Sequence, residues 1–363
     1  IPQLIKNDTA RTSSPLVKSH HILHIYFSPL YRWINYIILN MIYPNYLKKD
    51  DTIGICALSA GVGDDIEQYE KSLSFLSKQN KIIETASVRN NALVANTPII
   101  RANEFNSLVS NKDVKAIICA AGGDGQLETL PYIDYENIRK NPKWYLGASD
   151  PTNLLFVVTT MLDIATLYSC NAKSFVGNKD DLITYDFLYG KLSKQESYET
   201  YQPFIDYIND NDNYLPVRYE SKKDFKTKGR IIGGCLDCIA KIIGTPYDHV
   251  NEFIEKYKDD GIIWYFDIFS MPAYDVYLTL LQFKFTGYFK YTKAILFGRV
   301  AFESTAYNKY IASYKQAYLK ALENIPFISE MDIGHTHPHF TIINGAISEV
   351  EYKDHKGSIS YLI

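Results

Sequence analysis

Three short apolar runs, each broken off at glycine or serine, limit what this chain can fold into. They are Thr52-Ile-Gly-Ile-Cys-Ala-Leu58, Val114-Lys-Ala-Ile-Ile-Cys-Ala-Ala121 and Trp144-Tyr-Leu146, followed by Ser59, by Gly122-Gly123 and by Gly147. Runs this short and this apolar, bounded by turn formers, read as buried strands. Helical spacing fills the gaps between them. Ile66, Tyr69, Leu73 and Leu76 mark a helix over 65–78, while Glu104–Ser110 and Leu154–Leu162 read as two more. Ile82–Val88 is a weak strand. Strands alternating with helices predict the α/β class and a mostly parallel sheet.

At roughly 100–200 residues per domain, 363 residues suggest two domains. The first is placed at 41–177. Residues 178–228, rich in Asp, Asn, Lys, Tyr and Ser with little periodicity, are read as a connecting segment. A second α/β unit over 229–363 opens with a helix at Cys235–Ile243. It continues with a strand at Gly261–Phe266, a helix at Asp275–Phe285, a strand at Lys293–Phe297 and a helix near 307–322. Short strands close the chain over 341–363, with turns expected at Asn344-Gly345 and Lys356-Gly357. Residues 1–40 are read as an extension, non-native or disordered, with Met41 as the natural start. Its apolar stretch Ile22–Tyr43 is interrupted by His24, Pro29, Arg32 and Asn35, so it matches neither a membrane span nor a signal peptide.

Hydrophobic residues at 46% and charged residues at 22% are ordinary for a soluble globular protein. A formal net charge of −3 argues against a nucleic-acid partner. The five cysteines, Cys56, Cys119, Cys170, Cys235 and Cys238, form no disulfide framework and fit a reducing, cytoplasmic compartment.

Four local signals bear on chemistry. In Gly147-Ala-Ser149-Asp150-Pro151-Thr152 a strand ends and a helix begins, with Pro151 tolerated in a first helical turn. That places the Ser149 hydroxyl at a tight turn beside a helix N-terminus, as in a nucleophile elbow. The competing reading is that Ser149 or Asp150 caps the helix. Gly122-Gly123 leaves backbone N–H groups free of a side chain, and with the N–H of Asp150 they suit an oxyanion hole. The alternative there is an ordinary turn. Gly334-His335-Thr336-His337-Pro338-His339 offers a single working histidine or, through His335, His337 and His339, a metal site. No Cys or carboxylate cluster stands beside it in sequence, so no metal is expected. Cys235-Leu-Asp-Cys238, a lone C-x-x-C in an apolar helix, reads as buried thiols.

Taken in order, the motifs resemble the LD-carboxypeptidase and microcin-immunity family of serine peptidases. They are Leu47-Lys-Lys-Asp-Asp-Thr-Ile-Gly-Ile, Ala120-Ala-Gly-Gly123, Leu130-Pro-Tyr-Ile-Asp134, Asn141-Pro-Lys-Trp, Gly147-Ala-Ser-Asp150, Gly233-Gly-Cys-Leu236, Gly244-Thr-Pro-Tyr247 and Gly334-His-Thr336, spanning about 41–350. The resemblance implies a flavodoxin-like parallel-sheet N-terminal domain plus a smaller C-terminal α/β domain. It also implies a Ser–His–acid triad, no cofactor, no metal and a homodimer. The implied substrate is a small peptide or peptidyl compound, cleaved at an amide bond next to a free carboxylate. The L,D-bond of murein tetrapeptide comes first, and a peptidyl-nucleotide antibiotic is the alternative.

The catalytic residues are then Ser149, His335 and Asp267, with the N–H groups of Gly123 and Asp150 as oxyanion hole and Gly122 and Asp124 at the substrate. Three positions depart from the family pattern. Asp267 in Gly261-Ile-Ile-Trp-Tyr-Phe-Asp267 stands where the family has a longer glutamate, Leu58 where it has proline, and Pro151 where it often has an aliphatic residue. The shorter acid leaves open a catalytically weakened binding protein of the same fold.

Overall fold

A computed structural model describes residues 40–363 except residue 92 and residues 304–309. The extension read at 1–40 lies outside the described residues, apart from residue 40. Met41 and Ile42 belong to the folded unit: Met41 is buried, and Ile42 pairs in parallel with Ile164.

The first part of the chain alternates as the sequence predicts. Its elements are β1 (Thr52–Cys56), α1 (Ile66–Leu76), β2 (Lys81–Glu84), α2 (Pro98–Ser110), β3 (Val114–Cys119), α3 (Tyr135–Lys140), β4 (Trp144–Gly147), α4 (Thr152–Leu162) and β5 (Thr166–Tyr168). The strands pair in parallel in the order β2-β1-β3-β4-β5, which is the flavodoxin-like order. In such sheets ligands bind beyond the carboxyl ends of the strands, where the strand order reverses. Here that place is the group of loops after β1, β3 and β4. Helix α2 starts earlier than its periodicity suggests, because the Thr97 side chain accepts from Ile100 N and Pro98 occupies the first turn.

Residues 178–228 carry more regular structure than their composition announces. They hold α5 (Lys179–Leu188), β6 (Lys194–Glu196), β7 (Thr200–Tyr201), α6 (Phe204–Ile208) and β8 (Leu215–Pro216). Strand β6 joins the edge of the second sheet. After β8 the chain runs through β9 (Phe225–Cys235), α7 (Leu236–Ile242), α8 (Val250–Lys256), β10 (Ile262–Asp267), α9 (Ala273–Phe285), β11 (Thr292–Gly298), α10 (Tyr314–Leu322), β12 (Phe327–Met331), β13 (Ile342–Asn344), β14 (Ile347–Lys353) and β15 (Lys356–Leu362), and every one of these strands except β13 belongs to that second sheet. Its order is β12-β11-β10-β9-β14-β15-β6, parallel from β12 to β9 and antiparallel beyond.

Two turns near the end differ in meaning from the sequence reading. Asn344-Gly345 is no hairpin. β13 lies antiparallel to β5 in the first sheet, and Gly345, at φ +85°, hands the chain to β14 in the second. The β14–β15 hairpin turns through Asp354 and His355, both left-handed, and not through Lys356-Gly357, which begin β15. Asp and its neighbour supply the two positive-φ residues that a tight hairpin needs.

Helix α4 lies buried on nearly every side, with only Met161 of its eleven residues partly exposed. A helix apolar all round belongs in a core. It packs against β5 of the first sheet and against β9, α7 and α8 of the second unit. Phe156 meets the ring of Trp264 on β10 at 6.3 Å, and burying a ring of that size contributes at least about 1.5–3 kcal/mol. The helix that begins at the Ser149 turn is thus the piece both sheets share. Among the described residues no helix is long and apolar enough to cross a membrane.

Candidate active site

Ser149 sits in the turn from β4 to α4 with φ +66°, a left-handed conformation rare for a residue with a Cβ. Close neighbours force the glycines around it. A Cβ on Gly147 would fall 2.6 Å from Pro151 Cβ, and one on Gly122 3.1 Å from Ser149 Cβ. The capping alternative is not met, because α4 has no side-chain cap hydrogen bond. The Asp150 carboxylate does a different job. Buried, it accepts from Ser59 Oγ at 2.5 Å, Gln126 N at 2.7 Å and Asn153 Nδ2 at 2.7 Å, tying the loops after β1 and β3 to the nucleophile turn. Burial pushes its pKa up, against the Ser59 and Gln126 hydrogen bonds.

Those bonds hold Gly122-Gly123 beside Ser149. Gly123 has φ +135°, and a Cβ there would lie 2.5 Å from Ser59 Oγ. Among the described residues neither Gly123 N–H nor Asp150 N–H donates a hydrogen bond. Asp124 is exposed at the loop's outer edge.

The acid and the histidine come from the second sheet. Asp267 ends β10, wholly buried, and its oxygens stand 2.9 and 3.1 Å from His335 Nδ1. Gly334 makes this approach possible: at φ +99°, a Cβ would lie 2.0 Å from Asp267 Oδ1. The imidazole, 12% exposed, lies between Phe269 at 4.7 Å and Phe204 at 5.4 Å. Burial opposes its protonation, but the Asp267 charge and hydrogen bond prevail and its pKa stands above the ordinary value.

Tyr168, at the end of β5, joins the two halves. Its hydroxyl accepts from Ser149 N at 3.0 Å and donates to Asp267 Oδ2 at 2.5 Å. The structure therefore joins Ser149 to Asp267 through one phenol, and Asp267 in turn to His335. Ser149 Oγ itself has no hydrogen-bond partner among the described residues, His335 included. Such bonds are often long without substrate and tighten in the complex. Behind the turn lie the buried free thiols Cys235 and Cys238, as the sequence reads them, with Cys238 Sγ 3.7 Å from Ser149 O.

The three histidines do not share one site. His337 and His339 turn from His335 to Asp180, at the start of α5, with Nδ1···Oδ2 separations of 3.0 and 3.3 Å. These three side chains could hold a metal ion. Sequence reasoning missed Tyr168, Asp180 and Phe204. Nothing in a short apolar strand or a polar connector marks them, because folding alone brings them to the site.

Residues 53–169 match the LD-carboxypeptidase N-terminal domain, and residues 228–350 its C-terminal domain. The chain is 28% identical over 274 residues to the microcin C7 self-immunity protein MccF of Escherichia coli, covering 72% of this chain and 78% of that protein. It is 25% identical over 207 residues to a Bacillus subtilis protein named "Probable murein peptide carboxypeptidase", covering 56% and 60%. Among solved structures, MccF with glutamyl sulfamoyl guanosine superposes with a TM-score of 0.73 at 22% identity, over 87% of this chain and 98% of that one. An MccF-like protein of Bacillus anthracis gives 0.73 at 23%, over 88% and 99%. With both domain families matched in order on the two sheets that meet at Ser149, the chain belongs to the LD-carboxypeptidase family of serine peptidases.

Proposed function

We propose that this protein hydrolyses an amide bond next to a free carboxylate by a Ser149–His335–Asp267 mechanism. Ser149 Oγ attacks the carbonyl carbon while His335, through the nitrogen turned away from Asp267, takes its proton. The N–H groups of Gly123 and Asp150 hold the negative oxygen as the carbonyl becomes tetrahedral. His335 returns the proton to the leaving amine, an acyl-enzyme forms, and a water deprotonated by the same imidazole releases the acid. Asp267 keeps His335 oriented and stabilises its charged form. Gly122 and Asp124 line the approach of the substrate.

The observation that carries this reading is the chain of contacts from Ser149 N through Tyr168 to Asp267 and His335. It gives the shorter acid two fixed partners, which supports a working enzyme over a weakened binding protein. Murein tetrapeptide, cut at its L,D-bond, is the first substrate proposed. The greater identity to MccF favours a second, a peptidyl-nucleotide. Mass spectrometry of products from both substrates tests the reading, with Ser149→Ala as control. Loss of the terminal amino acid from murein peptide, or of the aminoacyl group from the nucleotide, is expected from the parent and not from the variant. Equal cleavage by Ser149→Ala would sink the nucleophile assignment. Failure of the parent to react with a serine-directed phosphonate and to cleave either substrate would favour the binding protein.

A further inference from the structure

The serine mechanism uses nothing of the second histidine cluster, whose geometry asks for an explanation. Asp180 and His339 are 3% and 4% exposed, and His337 is 18% exposed at its side chain. Asp180 Oδ1 is taken by the N–H of Asp181, which leaves Oδ2 facing both imidazoles. His337 Nδ1 meets it along a hydrogen-bond direction. His339 Nδ1 lies 3.3 Å away but off that direction, and so is a buried nitrogen without a hydrogen-bond partner.

We propose that Asp180, His337 and His339 bind one divalent transition-metal ion of the zinc class, separate from the Ser149 site. The three donor atoms lie within 4.8 Å of one another. Tetrahedral zinc with bonds of about 2.0–2.2 Å sets its donors about 3.3 Å apart, close to the separations from Asp180. Two imidazoles and one carboxylate are a donor set for zinc, nickel or iron, not for magnesium or calcium. An ion in the middle would give His339 Nδ1 the partner it lacks.

Outer contacts are also in place. His339 Nε2 lies 3.4 Å from Ser169 Oγ, which in turn contacts Thr184 and Thr341. A ligating histidine commonly donates its second N–H in this way, which fixes ring and tautomer. Tyr207 stacks on His337 at 3.7 Å and 23°. The partly exposed side of His337 would give a route for the ion and for a water as fourth ligand. A bound ion would pin the loop that carries His335, two residues before His337, to the start of α5. Asp180 stands 157 residues from His337, which is why no carboxylate was visible beside the histidines in sequence.

The test uses the full, untagged chain stripped with chelator. Zinc is titrated by calorimetry, and cobalt by its visible absorption. One zinc per chain is expected, with a tetrahedral cobalt spectrum. Asp180→Asn and His337→Gln should each weaken zinc binding by about 100-fold or more, while Ser149→Ala binds like the parent. The cobalt spectrum of the unaltered protein reports nitrogen and oxygen ligation even if a variant misfolds. No saturable binding by the parent, or binding that survives both substitutions in folded protein, would overturn the proposal.

Discussion

Two buried carboxylates, Asp267 and Asp332, stand in almost the same company, and the proposed mechanism gives them different work. Both are fully buried. Each accepts a tyrosine hydroxyl, from Tyr168 and Tyr219 respectively, and each faces a basic side chain. For Asp332 that partner is Arg299, 2.6 Å away, whose guanidinium also reaches Thr336 Oγ1 and carries the Tyr201 ring at 3.8 Å. For Asp267 it is His335. An arginine keeps its proton at any pH a protein survives, so the Asp332 pair is a permanent brace under the 332–336 loop. An imidazole can give its proton up, so the same arrangement around Asp267 can take part in a reaction. What separates the brace from the proposed working pair is which base stands opposite the acid.

Substitutions that leave shape intact sharpen this contrast. Asp267→Asn should keep the fold and lower turnover by on the order of 10⁴, since an amide favours the wrong tautomer and cannot stabilise imidazolium. Kinetics alongside a thermal melt checks this, and turnover equal to the parent would remove Asp267 from the triad. Asp332→Asn should do the reverse. It takes from buried Arg299 its ion-pair partner at 2.6 Å, at a cost of about 3–5 kcal/mol in chemical denaturation. Turnover per folded molecule should stay far nearer the parent than in Asp267→Asn. Were Asp332→Asn to lose activity without stability, the division between brace and working pair would be wrong.

The tyrosines separate the two regions more finely. Tyr219→Phe leaves Asp332 one donor short and should cost about 1–3 kcal/mol of stability with little kinetic effect. Tyr168→Phe should cost a similar amount and also lower turnover about ten- to a hundredfold, because the phenol holds both Ser149 N–H and Asp267. The smallest change expected is Asp267→Glu. It restores the acid of the resembled family, and turnover should be kept or raised where the pocket accepts one more methylene. Overpacking against Gly334 and Tyr168 would appear in the melt as a loss of about 1–3 kcal/mol.

Three strands of the first sheet, β1, β3 and β4, were legible because each is a short apolar run ending in a turn former, while half-exposed β2 read only weakly and three-residue β5 was not read at all. Ser149, Gly122 and Gly123 were legible for the same reason, since they lie where those runs stop. Asp267 and His335 could be paired only through resemblance, because 68 residues separate them. The connector 178–228 was the least legible part. Its polar composition hides α5 and α6, whose Asp180 and Phe204 become informative only against residues more than a hundred positions away. Tyr168 is one of thirty tyrosines in the chain, and only its hydroxyl's two partners distinguish it.

The absent side chain at Gly334 bears on how this site could change over generations. Any Cβ there would intrude on the Asp267 carboxylate, so the histidine loop and the acid cannot drift independently. A lineage exchanging glutamate and aspartate at 267 must first hold, and keep, glycine at 334. Substitution at 334 is closed until the acid has moved or gone. The order of steps is therefore constrained, and a library that randomises both positions together should recover active clones almost only with glycine at 334.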